Sequence, residues 1–238
     1  MKAKVIKNFK RPSVEMIKKF KEIPSSIVSD CLNRYYAMSA EIRPIFEGIR
    51  LCGPALTIQN MSGNNMMSHL ALTFAKPGDV IVIDARGYLN NAVWGGVQAA
   101  CAVKRGVAGL IVDGAIRDVK DMREMKFPVY CKGVTPAGPH KGWADCVNVP
   151  IQCGSIPVHP GDLIVADDDG AAVVPSADIE EVYQELITRD KRDMERQTDP
   201  LKIVDDAWVI DTSDLSIEQV VDMIVAKVKA MQENRNQS

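Results

Sequence analysis

The sequence has few aromatic residues, little net charge and no long apolar run, and each absence excludes a class of protein. Aromatic residues make up 5% of the 238 residues, which argues against stacking platforms for nucleic-acid bases. The 29 Lys and Arg residues are nearly balanced by 31 Asp and Glu residues, so no basic field is available to hold a phosphate backbone. No apolar run approaches the roughly 18 residues of a membrane-spanning helix, and no signal peptide is recognisable. We therefore expect a cytoplasmic protein that binds neither nucleic acid nor membrane.

The cysteines and histidines show no metal-ligand or redox pattern. None of the six cysteines forms a C-x-x-C pair, and the three histidines lack the spacing of zinc ligands. A chain of this length buries enough apolar surface to fold without disulfides. We expect the cysteines to be reduced and to act as small hydrophobic residues.

Hydrophobic patterning predicts a β-α-β unit in the middle of the chain. Continuous apolar runs over residues 80–83 and 107–112 are typical of strands buried on both faces. Helical spacing predicts a helix over residues 92–105, which Gly106 ends, and a polar loop through Gly87 precedes it. Strands joined in this way are parallel.

The rest of the chain predicts further helices and short strands around this unit. A motif Pro-Gly-Asp followed by an apolar strand occurs at Pro77 and again at Pro160, and we interpret both copies as structural turns. We predict one domain over residues 1–178 and a helical extension of the same domain over residues 179–238. Predicted helices cover residues 13–20, 25–32, 66–74, 179–188 and 216–232, a strand covers 53–59, and strands and turns cover 128–157.

Two groups at the carboxyl ends of the predicted strands suggest a binding site for a small anion. Gly95-Gly96 opens the predicted helix, where bare backbone N–H groups and the helix dipole favour an anion. Arg117-Asp118 follows the second strand; a guanidinium binds a carboxylate through two hydrogen bonds, and a carboxylate can hold a divalent cation. Together they suit a small 2-oxo acid. The alternatives are that Gly95-Gly96 only permits close packing and that Arg117-Asp118 is a surface ion pair.

The motifs from Gly95 to Asp121 resemble one family. That family comprises the class II 4-hydroxy-4-methyl-2-oxoglutarate/4-carboxy-4-hydroxy-2-oxoadipate aldolases and the regulator of ribonuclease E activity A (RraA-like) proteins. Its motif is an acidic residue, twenty further residues and then Arg-Asp, which Arg117-Asp118 matches, with Gly96 at the acidic position. The resemblance extends from about residue 29 to 175 and includes Gly53-Pro54-Ala55, Pro77-Gly78-Asp79, Gly133-Val134-Thr135-Pro136, Pro160-Gly161-Asp162 and Ala166-Asp167-Asp168-Asp169-Gly170.

The resemblance implies a fold and a site. The fold is α/β, with a central β layer resembling the phosphohistidine swivelling domain, flanked by helices and assembled as a homotrimer or homohexamer with sites at subunit interfaces. Asp118 would ligate Mg²⁺ or Mn²⁺, and Arg117 would bind the substrate and stabilise the enolate. The pyruvyl carboxylate would be held by the backbone around Gly95, Gly96, Val97 and Gln98.

The implied activity is a metal-dependent aldolase that cleaves a 4-hydroxy-2-oxo acid to pyruvate, with oxaloacetate decarboxylation as a side activity. The methyltransferase label often given to this family is not supported, because the glycine motif of methyltransferases is missing. The alternatives are a non-enzymatic regulator that binds a ribonuclease or another protein, and a small-molecule binding protein. In the regulators the Asp after the arginine is typically missing, and Asp118 therefore favours an enzyme.

The general base is not identified by the sequence. Asp84, Asp113 and a water on the metal are all open. The resemblance also implies an acid from the C-terminal region of a neighbouring subunit, for which Asp190, Asp193 and Glu195 are candidates. Among the remaining polar residues, we interpret His69 as a packing or surface histidine and the His140-Lys141 pair as structural or exposed.

Overall fold

The computed structural model describes residues 3–142, 145–195, 208–212 and 215–235. Contacts divide the chain into two units, Met1–Asp190 and Lys191–Ser238. The predicted division at residue 178 stays a prediction, although Ile179, Val182 and Leu186 pack into a core of the first unit. No helix in the described ranges is both long and apolar enough to span a bilayer.

Strands and helices alternate over residues 51–134 of the first unit, and the described part of the second unit contains one long helix. The helices are α1 Val14–Phe20, α2 Ser25–Cys31, α3 Met66–Leu72, α4 Gly96–Lys104, α5 Val119–Glu124, α6 Ile179–Glu195 and α7 Ile217–Arg235. The strands are β1 Lys4–Val5, β2 Arg43–Pro44, β3 Leu51–Gln59, β4 Val80–Trp94, β5 Gly109–Ile116, β6 Val129–Val134, β7 Cys146–Val147, β8 Ile151–Cys153, β9 Ile156–Val158, β10 Leu163–Asp167 and β11 Gly170–Val174.

A mixed sheet forms the centre of the first unit, with the order β1-β7-β3-β4-β5-β6-β2. Strands β3, β4, β5 and β6 are parallel to one another, as the β-α-β pattern predicts, whereas β7 and β2 on either side of them are antiparallel. The first half of β3 pairs instead with β10, antiparallel, and β10 pairs with β11. Every residue of β5 is buried, which explains why its sequence is apolar except for Asp113.

Alternate residues of the parallel strands face two different cores. Ile81 and Ile83 of β4 pack with residues of α3, α4 and α5. Val80 and Val82 point the other way and pack with residues of β10 and β11. This is the period-2 alternation of a strand between two layers. A third core lies between β10–β11 and the helices α1, α2 and α6. The structure is therefore the predicted α/β fold with a central sheet flanked by helices.

The two Pro-Gly-Asp motifs form the same kind of turn, which agrees with the structural interpretation of the repeat. Gly78 and Gly161 both have positive φ, where glycine is favoured. The buried carboxylates of Asp79 and Asp162 each accept a hydrogen bond from the backbone N–H three residues earlier, at 2.8 and 2.7 Å. Each turn is thus closed by its own aspartate.

The predicted loop before α4 is wrong, because β4 continues as an extended strand to Trp94. Tyr88, Ala92 and Trp94 pair with β5 after register shifts, and the Ala92 N–H donates to the carbonyl of Ala137. Gly114 of β5 permits the approach, since a Cβ there would lie 2.7 Å from the Cβ of Ala85. The helix consequently begins at Gly96 and not at Ala92.

Candidate active site

A cleft of about 170 Å³ opens where β4 and β5 end, on the side that the sequence predicted. It brings together Gly95, Val97, Gln98, Arg117 and Asp118, whereas Gly96 is not among its lining residues. Its lining residues are Asn65, His69, Ala92, Trp94, Gly95, Val97, Gln98, Arg117, Asp118, Pro139 and Lys141.

Arg117 and Asp118 lie in the short connection between β5 and α5. The Arg117 N–H donates to the Trp94 carbonyl at 3.0 Å, which extends the pairing of the two strands by one residue. Asp118 then adopts a left-handed conformation with φ 58°, which Asp tolerates better than most residues. This turn places Asp118 Oδ2 3.0 Å from the Gly96 N–H, which donates to it, and 3.6 Å from Arg117 Nε.

Gly95 is required by the packing of these two side chains. A Cβ at Gly95 would lie 2.6 Å from Asp118 Oδ2 and 3.2 Å from Arg117 Cγ. Its backbone is extended, with φ −157°, so the close approach and not the backbone conformation requires the glycine. This supports the interpretation that Gly95 permits close packing. The side chains that pack against it are Arg117 and Asp118, which belong to the candidate site.

Gly96 lies against a carboxylate that the sequence analysis did not consider. A Cβ at Gly96 would lie 2.6 Å from Oδ2 of Asp121, which is on the first turn of α5. At the position where the family motif has an acidic side chain, this chain has Gly96. The carboxylate of Asp121, from α5, lies next to that glycine. The signal in the sequence was the position of Asp121 three residues after Asp118, in the first turn of α5.

The first turn of α4 remains a candidate anion site, because the backbone N–H groups of two of its residues could donate to an anion. The Gly96 N–H is already bonded to Asp118. The N–H groups of Val97 and Gln98 belong to the same first turn, where a helix supplies no acceptor of its own. The Val97 side chain is 77% exposed, so the approach to this turn is open.

The opposite wall is built from α3 and was missed. Asn65, which caps the start of α3, donates through Nδ2 to Gln98 Oε1 at 3.2 Å and lies 3.5 Å from Nε2 of His69. Asn65 and Gln98 are both buried. The interpretation of His69 as a packing or surface histidine is incomplete, because its exposed ring lines the cleft. A signal was present in the sequence, since Asn65 and His69 are four residues apart and share one helix face.

Three buried polar atoms of residues that line the cleft have no hydrogen-bond partner among the residues that the structure describes. They are Asn65 Oδ1, Gln98 Nε2 and Trp94 Nε1. Since buried polar groups in folded proteins are nearly always paired, such atoms beside a cleft are consistent with a polar ligand.

Lys141 adds positive charge to the cleft. It follows His140, whose N–H donates to the Gly63 carbonyl at 2.7 Å and whose carbonyl accepts from the Asn65 N–H. Of the His140-Lys141 pair, only Lys141 lines the cleft. Partial burial, and then the charge of Lys141, lower the pKa of His69. The lowered pKa favours the neutral form of the imidazole.

The two strand aspartates considered as general bases do not line the cleft. Asp113 accepts a hydrogen bond from the Gly154 N–H at 2.8 Å and forms an ion pair with Lys132 at 2.9 Å. Asp84 accepts from the Arg86 N–H, and burial raises its pKa. The side chains of Asp190, Asp193 and Glu195 lie outside the described residues.

Asp118 fits a divalent cation as a single protein ligand. Its two contacts described above both use Oδ2, which leaves Oδ1 for a cation. Among the described residues there is no group of three or more His, Cys, Asp or Glu side chains that could enclose a metal. One carboxylate with water and substrate oxygens is a usual set for Mg²⁺, whereas a structural zinc site needs more side chains.

The fold is that of the RraA-like proteins, and a family model and solved structures both show this similarity. The family model described as Aldolase/RraA matches residues 25–173, more than half of the chain. The chain belongs to this family, as the motifs around Arg117 predicted. A second model, described as Cytidylate kinase, matches residues 167–230, which is too small a part to show membership.

Relatives by sequence include proteins named as aldolases. A protein of Halalkalibacterium halodurans with the name "Putative 4-hydroxy-4-methyl-2-oxoglutarate aldolase" is 40% identical over 184 residues, which cover 77% of this chain and 88% of the relative. A protein of the same name from Burkholderia multivorans is 35% identical over 132 residues, covering 56% of this chain and 80% of its own.

Solved structures with this fold include proteins described as inhibitors. Streptomyces coelicolor RraAS2, described as an unusual member of the RNase ES inhibitor RraA family, has a TM-score of 0.71 and 29% identity, covering 77% of this chain and 96% of its own. The RNA-processing inhibitor RraA from Thermus thermophilis has a TM-score of 0.60 and 28% identity, covering 65% and 93%. Proteins similar to this chain are thus named both as aldolases and as inhibitors of RNA processing.

Proposed function

We propose that this protein is a divalent-metal-dependent lyase that cleaves a 4-hydroxy-2-oxo acid to pyruvate and also decarboxylates oxaloacetate. One observation carries the proposal: the Arg117 guanidinium, the Asp118 carboxylate and the first turn of α4 line one cleft. The names of the sequence relatives support a lyase.

The chain's own residues would bind the 2-oxo acid end of the substrate. The N–H groups of Val97 and Gln98 would donate to the carboxylate, and Arg117 would pair with it and with the neighbouring oxo oxygen. Asp118 would hold Mg²⁺ or Mn²⁺ beside that oxygen. The cation, when bound, supplies a Lewis acid that withdraws charge from the oxo group.

Aldol cleavage and decarboxylation both produce the negative charge of a pyruvate enolate, which the site has to stabilise. Cleavage between C3 and C4 and loss of CO₂ from oxaloacetate each leave the electron pair of the broken bond in a pyruvate enolate. The guanidinium of Arg117 is a fixed positive charge next to the position where the enolate oxygen develops. A proton delivered to C3 then gives pyruvate.

The test is pyruvate formation followed with a coupled dehydrogenase. With Mg²⁺ or Mn²⁺ present, we expect release of pyruvate from oxaloacetate and from at least one acid of a panel that includes 4-hydroxy-4-methyl-2-oxoglutarate. Chelation with EDTA should abolish the release, and returning the metal should restore it. No metal-dependent pyruvate from any acid of the panel would exclude this function.

A protein-binding regulator is the second candidate. The structural neighbours described as inhibitors of RNA processing favour it, and so do the exposed apolar side chains of Val97 and Val134. Slower cleavage of a structured RNA by a ribonuclease E-type enzyme, in proportion to added protein, would support the regulator.

We also propose that the chain assembles as a homotrimer or homohexamer. Helix α7 carries apolar side chains at alternating intervals of four and three residues, and each is exposed. This spacing forms the contact stripe of a coiled coil, and β-branched residues at both alternating positions favour three or more strands. The stripe consists of Ile217, Val221, Ile224, Val228 and Met231.

A further inference from the structure

Aldol cleavage needs a group that removes the proton of the substrate's 4-hydroxyl, and decarboxylation does not. Four ionisable side chains line the cleft among the described residues: Arg117, Lys141, Asp118 and His69. An arginine stays protonated and a protonated lysine has no acceptor. Asp118 is the proposed metal ligand, so among the described side chains that line the cleft His69 is the one left that can accept this proton.

The position of His69 is fixed by a chain of two buried amides. Asn65 lies one helical turn before it on α3 and contacts Nε2 of the ring at 3.5 Å, while Gln98 of α4 contacts Asn65 at 3.2 Å. This chain joins His69 to the helix whose first turn is proposed to hold the substrate carboxylate. The imidazole and the carboxylate site are therefore held by one connected group of side chains.

The same chain can set the tautomer of the ring. If the amide groups of Asn65 and Gln98 both exchange oxygen and nitrogen, the two contacts are kept, and Asn65 Oδ1 then accepts a hydrogen bond from Nε2–H. That arrangement leaves Nδ1 of His69 as the acceptor. The exchange leaves the number of unpaired amide atoms unchanged, because Asn65 Nδ2 and Gln98 Oε1 then take the places of the unpaired Asn65 Oδ1 and Gln98 Nε2.

We propose that His69 is the general base of the aldol cleavage, a role that rests on the function proposed above. Nδ1 takes the proton of the 4-hydroxyl as the C3–C4 bond breaks; the C4 oxygen becomes a carbonyl, and the bonding electrons enter the enolate. The imidazolium then returns its proton to C3, which releases pyruvate and neutral His69. Asn65 is a positioning residue that holds the ring through Nε2.

The charges around His69 are suited to this role. Lys141 and Arg117 are positive, Asp118 is negative, and Asn65 and Gln98 are uncharged. The partial burial of the ring, and then the nearby positive charge of Lys141, lower the pKa of His69. The base form therefore persists below the pH at which a free histidine becomes protonated.

The experiment compares two reactions in the full-length protein. In His69→Gln, we expect kcat for cleavage of 4-hydroxy-4-methyl-2-oxoglutarate, or of the panel acid that wild type cleaves, to fall roughly 100-fold or more. Oxaloacetate decarboxylation should change less than about threefold, since CO₂ loss needs no base. The acid limb of the wild-type pH profile for cleavage should lie below the usual histidine value and be absent from the variant. His159→Gln, an exposed histidine outside the cleft, is the matched control.

The outcomes separate this proposal from the proposed function. If wild type releases no pyruvate from any of the acids, both are overturned. If wild type catalyses the two reactions and His69→Gln loses both equally, or neither, the lyase stands and His69 is not its base. A wild type that only decarboxylates also overturns the role of His69.

Discussion

At the scale of single residues, the candidate site depends on atoms that approach unusually closely. Asp118 is in a left-handed conformation, accepts a hydrogen bond from the first residue of α4 and lies beside a glycine that has no room for a Cβ. Backbone strain of this kind persists where the surroundings hold it, and it is common at functional sites. Small changes here are expected to affect chemistry before stability.

Asp118→Asn tests the charge of the carboxylate without changing its shape. Asn also tolerates the left-handed conformation and can accept the Gly96 hydrogen bond, so the fold should be unchanged. We expect a loss of roughly 100-fold or more in both activities and weaker Mn²⁺ binding in a calorimetric titration. Asp169→Asn, an exposed aspartate outside the cleft, is the control. Full activity in Asp118→Asn would contradict the metal assignment.

Gly95→Ala tests the close approach of the side chains. The extended backbone at Gly95 accepts alanine, so any effect comes from the 2.6 Å contact that the new Cβ would make with Asp118. Displacing that carboxylate by about an ångström should lower kcat/KM for oxaloacetate by roughly 100-fold, with an unchanged circular dichroism spectrum. Gly142→Ala, where a Cβ meets open space, should behave as wild type. Equal activity in the two variants would count against the assignment.

At the scale of elements, the sequence predicted those with a clear hydrophobic period. The apolar run of β5 and the helical spacing of α3 and α4 each gave the right type of element. The second half of β4 was missed because residues 84–91 are mostly polar and carry no alternation. Its extended conformation results from pairing with β5 and with Ala137, contacts that are distant in the sequence.

Only part of the candidate site was predicted, because the other part depends on contacts between residues that are distant in the sequence. Gly95, Arg117 and Asp118 follow strand ends, where the β-α-β pattern already places a site. His69 was not recognised because its role depends on Asn65 meeting Gln98, which is 33 residues away. The acid beside Gly96 likewise comes from α5, so the sequence of α4 gives no sign of it.

Helix α7 provides a test of self-association. Ile224→Glu puts a charge in the middle of the apolar stripe, and burying it between helices would be costly. We expect a lower molecular mass in sedimentation equilibrium than for wild type. Lys229→Glu, which also introduces a glutamate but lies off the stripe, should leave the mass unchanged. Wild-type mass in both variants would exclude α7 as the contact.

At the scale of the whole molecule, we expect the first unit to contain all that the proposed decarboxylation requires. Among the described residues, the buried members of the three hydrophobic cores extend no further than Leu186, and the lining of the cleft extends no further than Lys141. We therefore expect the central sheet and the cleft to form without the last 48 residues.

A chain that ends at Asp190 tests this division. We expect it to fold cooperatively, with oxaloacetate decarboxylation within about threefold of the full-length rate, measured beside thermal unfolding followed by circular dichroism. A folded but inactive product would show that the site needs side chains from residues 191–238. In that case the full-length variants Asp193→Ala and Glu195→Ala would identify which acid is required.

The exposure of Val97 has a consequence for selectivity. The groups assigned to binding contact only the 2-oxo acid end of a substrate, and beside Val97 the cleft is open to solvent. Apart from the 4-hydroxyl, which is proposed to meet His69, substituents on C4 would therefore point out of the cleft and contribute little to recognition. On this basis the protein is expected to accept many acids that share a pyruvyl half, with similar kcat/KM for all of them. Which acid it uses in the cell would then depend on supply more than on fit.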